Sequence, residues 1–228
     1  MQAFFDVKQR TARAVRLLFL TTLISAAPAV IYAQEDSQNE PEQITEPDLA
    51  LADVPRQNLS GMEWLERLAQ INRTSNFEVS FVLTRAGQEM TPYLWRHAVL
   101  EDGLEAEQLN LQNGPGQEMI RLGNVVSVFE PDVQPYSIYA SAISGPLPSD
   151  LLYNPTALTD AYQFITIGRT RVSGRAAQQL RIVSRDNKRY NYQVWLDEET
   201  GMLLKLDMVD LQGSLLEQIQ VTAVNVSE

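Results

Sequence analysis

Apolar residues recur along this chain with two periods, and the change from one to the other divides it. From Ser60 onward Met62, Leu65, Leu68, Ala69 and Ile71 return at helical spacing, with Ser60 placed to cap and Glu63 three residues later to complete a capping box. One amphipathic helix is predicted over residues 61–73. The period then falls to two: Phe77, Val79, Phe81 and Leu83 alternate with Glu78, Ser80 and Thr84. Further strands are predicted over 93–100, 106–111, 118–122 and 125–129. After Tyr139 the stretch SAISGPLPSDLLYNPTALTDAY breaks the pattern with three prolines and two short helix-like pieces, as expected of a long connection packed over one end of a sheet. Strands resume over 164–172, 177–185, 189–197, 202–211 and 215–226. The intervening SGR, RDNKR, DEETG and LQGS are too short for anything but antiparallel neighbours. The expected fold class is α+β, mainly antiparallel β: a curved, incomplete β-barrel with helices covering its concave face.

The polar knot Asp197-Glu198-Glu199-Thr200-Gly201 invites a metal-site reading. A calcium loop needs oxygen ligands at alternating positions and a closing Glu well downstream, whereas here a strand resumes at once. The knot reads better as a hairpin turn, with Asp197 accepting from backbone amides and Gly201 supplying a positive φ. Neither a metal nor a cofactor is expected.

The strands around the knot are apolar on both faces. Tyr190, Tyr192, Val194 and Leu196 share one phase, Trp195 the other, and Leu204, Leu206 and Met208 line one side of the next strand. Such a sheet is either sandwiched or offers a face to a guest. Candidate lining residues of an apolar hollow are Phe81, Leu83, Trp95, Val128, Tyr190, Tyr192, Trp195, Leu204 and Leu206, against the plainer reading that they fill a core. Basic residues also crowd into one stretch: Arg169, Arg171, Arg175, Arg181, Arg185, Lys188 and Arg189. They form a candidate patch for an anionic partner, with solvent-facing strand positions as the plainer account. His97 is the lone histidine, sits in a predicted strand and is expected to be structural. No nucleophile elbow, zinc-binding HExxH or phosphate loop is present, so the chain is not expected to be an enzyme.

Composition changes the picture at the N-terminus. Lys8, Arg10, Arg13 and Arg16 precede an apolar run from Leu17 to Ile24 and a small-residue zone ending at Ala33. This is the pattern of a secretory signal over residues 1–33, cut after about Ala33, with an uncleaved anchor as the alternative. Residues 34–58 are rich in Glu, Asp, Gln and Pro and lack aromatics, so they are expected to be a disordered acidic leader. A single domain is expected over 59–228. With no cysteine in an exported chain, stability must come from packing and sheet hydrogen bonds. The whole sequence has 18 Lys+Arg against 29 Asp+Glu. The first thirty-three residues hold four bases and one acid, which leaves 14 against 28, a net of −14. So acidic a protein is not expected to bind nucleic acid.

The segments YLWRHAVLED, GPGQEMIRLGNVVSVFEPDVQPYSIY, FITIGRTRVSGRAAQQLRIVSRDNKRYNYQVWLDEETGMLLKLDMVD and GSLLEQIQVTAVNV together resemble the RseB/MucB family, periplasmic regulators of the sigma-E envelope-stress pathway. The likeness runs from about Glu63 to Val226, and IGRTRVSGR with YNYQVWLDEETG is its most specific part. It implies a large domain like the LolA/LolB lipoprotein carriers, built around an apolar hollow. It also implies a periplasmic protein that binds the periplasmic segment of a membrane-anchored anti-sigma factor, protects it from regulated proteolysis, and releases it when lipid, lipopolysaccharide or lipoprotein acyl chains accumulate. A homo-oligomer is compatible with this. The alternative is a lipid or lipoprotein carrier with no regulatory role. Family members carry a smaller second domain, which this chain, ending at Glu228, is not expected to contain.

Overall fold

A computed structural model describes residues 57–101 and 103–227. The expected signal sequence and nearly all of the acidic leader lie outside the described residues. Helix α1 spans Gly61–Thr74, one residue beyond its predicted end. Its capping box is formed: the Ser60 amide donates to Glu63 Oε2 at 2.7 Å, and the Glu63 amide donates to Ser60 Oγ at 3.3 Å. These bonds satisfy two groups that a helix N-terminus otherwise leaves open.

Strands β1 (Asn76–Arg85), β2 (Thr91–Val99), β3 (Glu105–Leu111), β4 (Glu118–Leu122), β5 (Val125–Phe129) and β6 (Tyr136–Tyr139) form one meander. Strands β7 (Tyr162–Val172), β8 (Arg175–Ser184), β9 (Asn191–Asp197), β10 (Leu203–Val209) and β11 (Leu215–Ser227) form another. They join in a single 11-stranded sheet of order β6-β5-β4-β3-β2-β1-β11-β10-β9-β8-β7, antiparallel throughout. Strand β6 is an addition to the sequence reading: its four residues are all exposed, so no one-sided alternation marks it. The first and last strands pair, Phe81 opposite Val221, while β6 and β7 are the two unpaired edges. The expected incomplete barrel is therefore what the sheet forms, open between β6 and β7.

Residues 140–161 span that opening. They carry the short helix α2 (Ser149–Tyr153) and a 3₁₀ turn (Pro155–Leu158), and we call this segment the lid. One core fills the concave side. Phe77, Val79, Phe81 and Leu83 of β1, Leu180 and Ile182 of β8 and Ile219 of β11 meet Trp64, Leu65 and Leu68 of α1 and Ile143, Leu151 and Leu152 of the lid. Gly61 lets α1 approach the edge strand β7, since a Cβ there would come within 3.1 Å of the Phe164 carbonyl carbon.

Irregularities in the ladder decide which face several side chains occupy. In β10, Leu203 pairs with Leu196 and Lys205 with Trp195, so Leu204 is an extra residue with no partner. Leu203 and Leu206 then face the concave core, while Leu204 joins Trp195, Val172 and Ala177 in a small cluster on the outer face. The alternation placed Leu204 with Leu206; the bulge corrects that.

Candidate functional site

Of the expected hollow residues, Phe81, Leu83, Trp95, Val128 and Leu206 are buried in the concave core, and Tyr192 packs against it. The structure does not bring Trp195, Leu204 and Tyr190 to this place. Trp195 and Leu204 belong to the outer cluster, where Lys205 Nζ lies 4.3 Å from the Trp195 ring centroid. Tyr190 lies just ahead of β9 and is half exposed.

The concave space itself is closed. Between Trp95, Glu107 and Leu109 on the sheet and Ile143, Leu147, Leu152 and Tyr153 on the lid, the free volume is about 10 Å³. That is near the lower limit for one water molecule. The lid's own apolar side chains occupy the hollow. Open clefts flank the lid on both sides. One, of about 530 Å³, has Arg73, Glu105, Arg121 and Tyr153 on its walls. The other, of about 350 Å³, is lined by Leu151, Leu158, Tyr162, Ile182, Arg189 and Tyr192. In the second cleft burial raises the Tyr192 hydroxyl to about 12, with the neighbouring Tyr162 adding to the effect.

A buried polar network fastens the lid to the wall, and sequence reasoning missed it. Glu107 is 4% exposed and Arg121 3%. Glu107 Oε1 accepts from Trp95 Nε1 and from the Tyr153 hydroxyl, each at 2.7 Å, and its Oε2 accepts from Arg121 Nε at 2.8 Å. Arg121 also donates to Glu105 Oε2 at 3.0 Å and to the Gly123 carbonyl at 3.1 Å. A buried ion pair is tolerated only when its remaining groups are satisfied, and here they are. Desolvation, then the Glu107 charge, raise the Tyr153 hydroxyl far above its ordinary range, so it stays a donor at any physiological pH. The lid has two further ties to α1: Asn72 Nδ2 donates to the Leu152 carbonyl at 3.0 Å, and Arg73 donates to the Tyr153 carbonyl. The missed signal lay in the alternation. Glu107 shares its phase with Leu109, and Arg121 with Met119, which puts two charges on the core face of adjacent strands.

The basic stretch does not form one patch. Arg171 and Arg175 stand at one end of β8 and Arg185, Lys188 and Arg189 beyond the other, about 30 Å apart at the rise of a strand, with Arg169, opposite Gln178, and Arg181 between them. Several are already engaged. Arg169 Nε donates to Glu198 at 2.8 Å, and Arg175 Nη2 donates to Asp197 at 2.7 Å and Glu199 at 3.1 Å. Arg185 Nε donates to the carbonyls of Thr159 and Tyr162, and Arg189 pairs with Asp186. Arg171, Arg181 and Lys188 are exposed.

The arginines thereby account for the knot. Asp197 and Glu198 are each 1% exposed. Thr200 donates to Asp197 Oδ2 through its hydroxyl at 2.6 Å, and Gly201 donates to the Asp197 carbonyl at 2.7 Å with φ +82°. Arg67 of α1 reaches over to donate to the carbonyls of Glu198, at 3.3 Å, and Glu199, at 2.7 Å. The acids are spent on arginines and on the turn. His97 is buried, donates from Nδ1 to the Ser75 carbonyl at 2.8 Å and stacks on Phe77.

Comparison with known proteins places this architecture. The RseB regulatory protein of sigma-E factor from Salmonella typhimurium is 38% identical over 165 residues, covering 72% of this chain and 51% of that protein. The sigma factor AlgU regulatory protein MucB of Pseudomonas aeruginosa is 32% identical, covering 72% of this chain and 50% of its own length. The chain thus spans about half the length of the curated relatives it matches. Among solved structures, the complex of Pseudomonas aeruginosa MucA and MucB matches with a TM-score of 0.59 at 29% identity, over 74% of this chain and 57% of the other. A family model described as the MucB/RseB N-terminal domain matches residues 60–228, the whole of the open barrel from the capping serine onward, and the chain belongs to that family.

Proposed function

We propose that this chain is an exported regulatory binding protein rather than an enzyme. It holds the periplasmic segment of a membrane-anchored anti-sigma factor, shields that segment from regulated proteolysis, and yields it when lipid or lipoprotein acyl chains accumulate. The observation that carries the reading is the likeness to a MucB solved together with MucA, extending over most of the barrel. The N-terminal pattern supports export, with residues 1–33 removed and residues 34–58 serving as an acidic spacer. The lid supports the sensing step, since apolar side chains from a short, separately tied segment fill the concave side of the sheet. A lipid can drive release only if it prefers the partner-free form of the protein.

A pull-down of the exported protein with the periplasmic segment of its anti-sigma factor, with and without phospholipid vesicles, tests both steps. Retention that falls on adding vesicles is the expected result. Failure to retain the segment overturns the partner reading, and retention unchanged by lipid overturns the sensing step. Mass spectrometry of periplasmic protein is expected to find Gln34 at the N-terminus; an intact Met1 overturns cleavage.

A further inference from the structure

Of the two sheet edges, the one at β7 lies beside the point where the described residues begin. Gln57 Nε2 donates to the Glu198 carbonyl at 2.9 Å, and the Glu198 amide donates to the Ala176 carbonyl at 3.0 Å. Ala176 pairs with Arg171, so the chain meets the barrel next to the β7–β8 hairpin. Helix α1 covers β7 near Phe164, but farther along Thr166, Ile167 and Arg171 are exposed. Ile167 is the extra residue of a bulge between Thr166 and Gly168 and is 46% exposed. An apolar side chain on a free edge invites pairing with other chains, and proteins often cover such an edge with a loop. The charge here also runs against that of the domain. Around the β9–β10 turn Arg67, Arg169, Arg171 and Arg175 face Asp197, Glu198 and Glu199, a balance of +1. Taking Arg56 and the seven acids of residues 34–56 from 14 bases against 28 acids leaves 13 against 21, so residues 57–228 carry a net of −8.

We propose that the chain's own segment 48–56, DLALADVPR, docks along the β7 edge, with Leu51 over Ile167 and Asp53 paired with Arg171. Three observations support this. In an extended segment Leu49, Leu51 and Asp53 share one face, and Pro47 and Pro55 bound the stretch. The reach is right: six residues back from Gln57 span about 20 Å, whereas Ile167 stands four residues, about 13 Å, from Arg171 along β7. The charges are complementary, since the segment brings Asp48 and Asp53 to the cationic end of an otherwise acidic domain. Docked there, the segment screens β7 from other chains and leaves β6 as the edge open to a partner. The spacer role then falls to residues 34–47.

Because the chain has no cysteine, disulfide scanning reads only the pair introduced. Ile167→Cys is combined in turn with Ala50→Cys, Leu51→Cys and Ala52→Cys in the exported protein, and each variant is oxidised at low micromolar concentration. The Leu51→Cys variant is expected to close within the molecule roughly tenfold faster than its two neighbours, which point away from β7 when the segment is docked. Equal rates at the three positions would mean that the segment passes β7 without settling, and bonds formed only between molecules would mean that a second copy takes the edge; either result, or no bond at all, overturns the proposal. Arg171→Glu is expected to bring the Leu51→Cys rate down to that of its neighbours, and Asp53→Arg in the same chain to restore it. A rate that Arg171→Glu leaves unchanged overturns the ion pair. A second measurement keeps the edge and the cysteine-free chain intact: in the exported protein, amides of residues 166–170 are expected to exchange roughly tenfold slower than after joint Leu49→Ser and Leu51→Ser substitution. Unchanged exchange overturns the docking.

Discussion

Gly201 shows how one position can hold several constraints. Its φ of +82° lies where a side chain is strained, and a Cβ would meet Ile71 Cδ1 at 2.8 Å and Arg67 Nε at 2.9 Å. Strain and overlap therefore act together, and the neighbours they press on belong to α1, not to the turn. Gly201→Ala is expected to cost about 2 kcal/mol or more. Urea unfolding would read this as a lower midpoint at unchanged slope. The turn chemistry of this position was legible in the sequence, because Gly closing an Asp-initiated knot has a local cause. The arginines were legible only as a cluster. Their sorting into separate groups depends on strand length and on which acids fold back to meet them. Leu204 failed for a third reason: alternation assumes an unbroken ladder, and an inserted residue reverses the phase without leaving a mark in composition.

Between segments, the chain relies on donors that reach backbone carbonyls. Arg67 ties α1 to the β9–β10 turn by donating to Glu198 O, Glu199 O and the Gln57 side chain, and Gln57 itself donates to Glu198 O at 2.9 Å. Burial lowers the Arg67 pKa, while Asp197 opposes that shift. A planar fork suits this task and an ammonium does not. Arg67→Lys is expected to lose about 1 kcal/mol or more, since one donor group cannot serve the same divergent acceptors. Faster amide exchange at residues 198–201 would be the local signature, and unchanged exchange there would show that Arg67 does not order the turn. Most strands and α1 were readable in advance because their signals are local: a capping box, a period, a turn residue. The connection over one end of the sheet was readable too, from its prolines and two short helix-like pieces; strand β6 and the polar tie that fastens the lid were not. Tyr136–Tyr139 shows no buried alternation, and Tyr153 matters only because the 140–161 connection carries it back over Glu107.

The strand order divides the barrel into two meanders, β1–β6 and β7–β11, whose only ladder contact is the seam between β1 and β11. Within each meander neighbours are close in sequence, but the seam joins residues at opposite ends of the domain, such as Asn76 and Ser227. Closing it carries the large entropic cost of a long loop. Once closed, β1 and β11 are the middle strands of the sheet, flanked on both sides and covered by α1. Stability should therefore grade outward from the seam to the edges. Native-state hydrogen exchange is expected to find the amides of Val79, Phe81, Ile219 and Val221 opening only with global unfolding. Amides of β6 and of the lid at 149–158 are expected to open at much lower free energy, together with a single cooperative urea transition. Two separated transitions would mean that the meanders fold independently and the seam contributes little. Lid protection equal to that of the seam would mean that the concave side opens only when the protein unfolds, and no guest could then enter the folded barrel. The predicted gradient puts the weakest structure at the β6–β7 opening, the one place where the sheet lacks a strand and the lid, with α1 beside it, keeps the core from water.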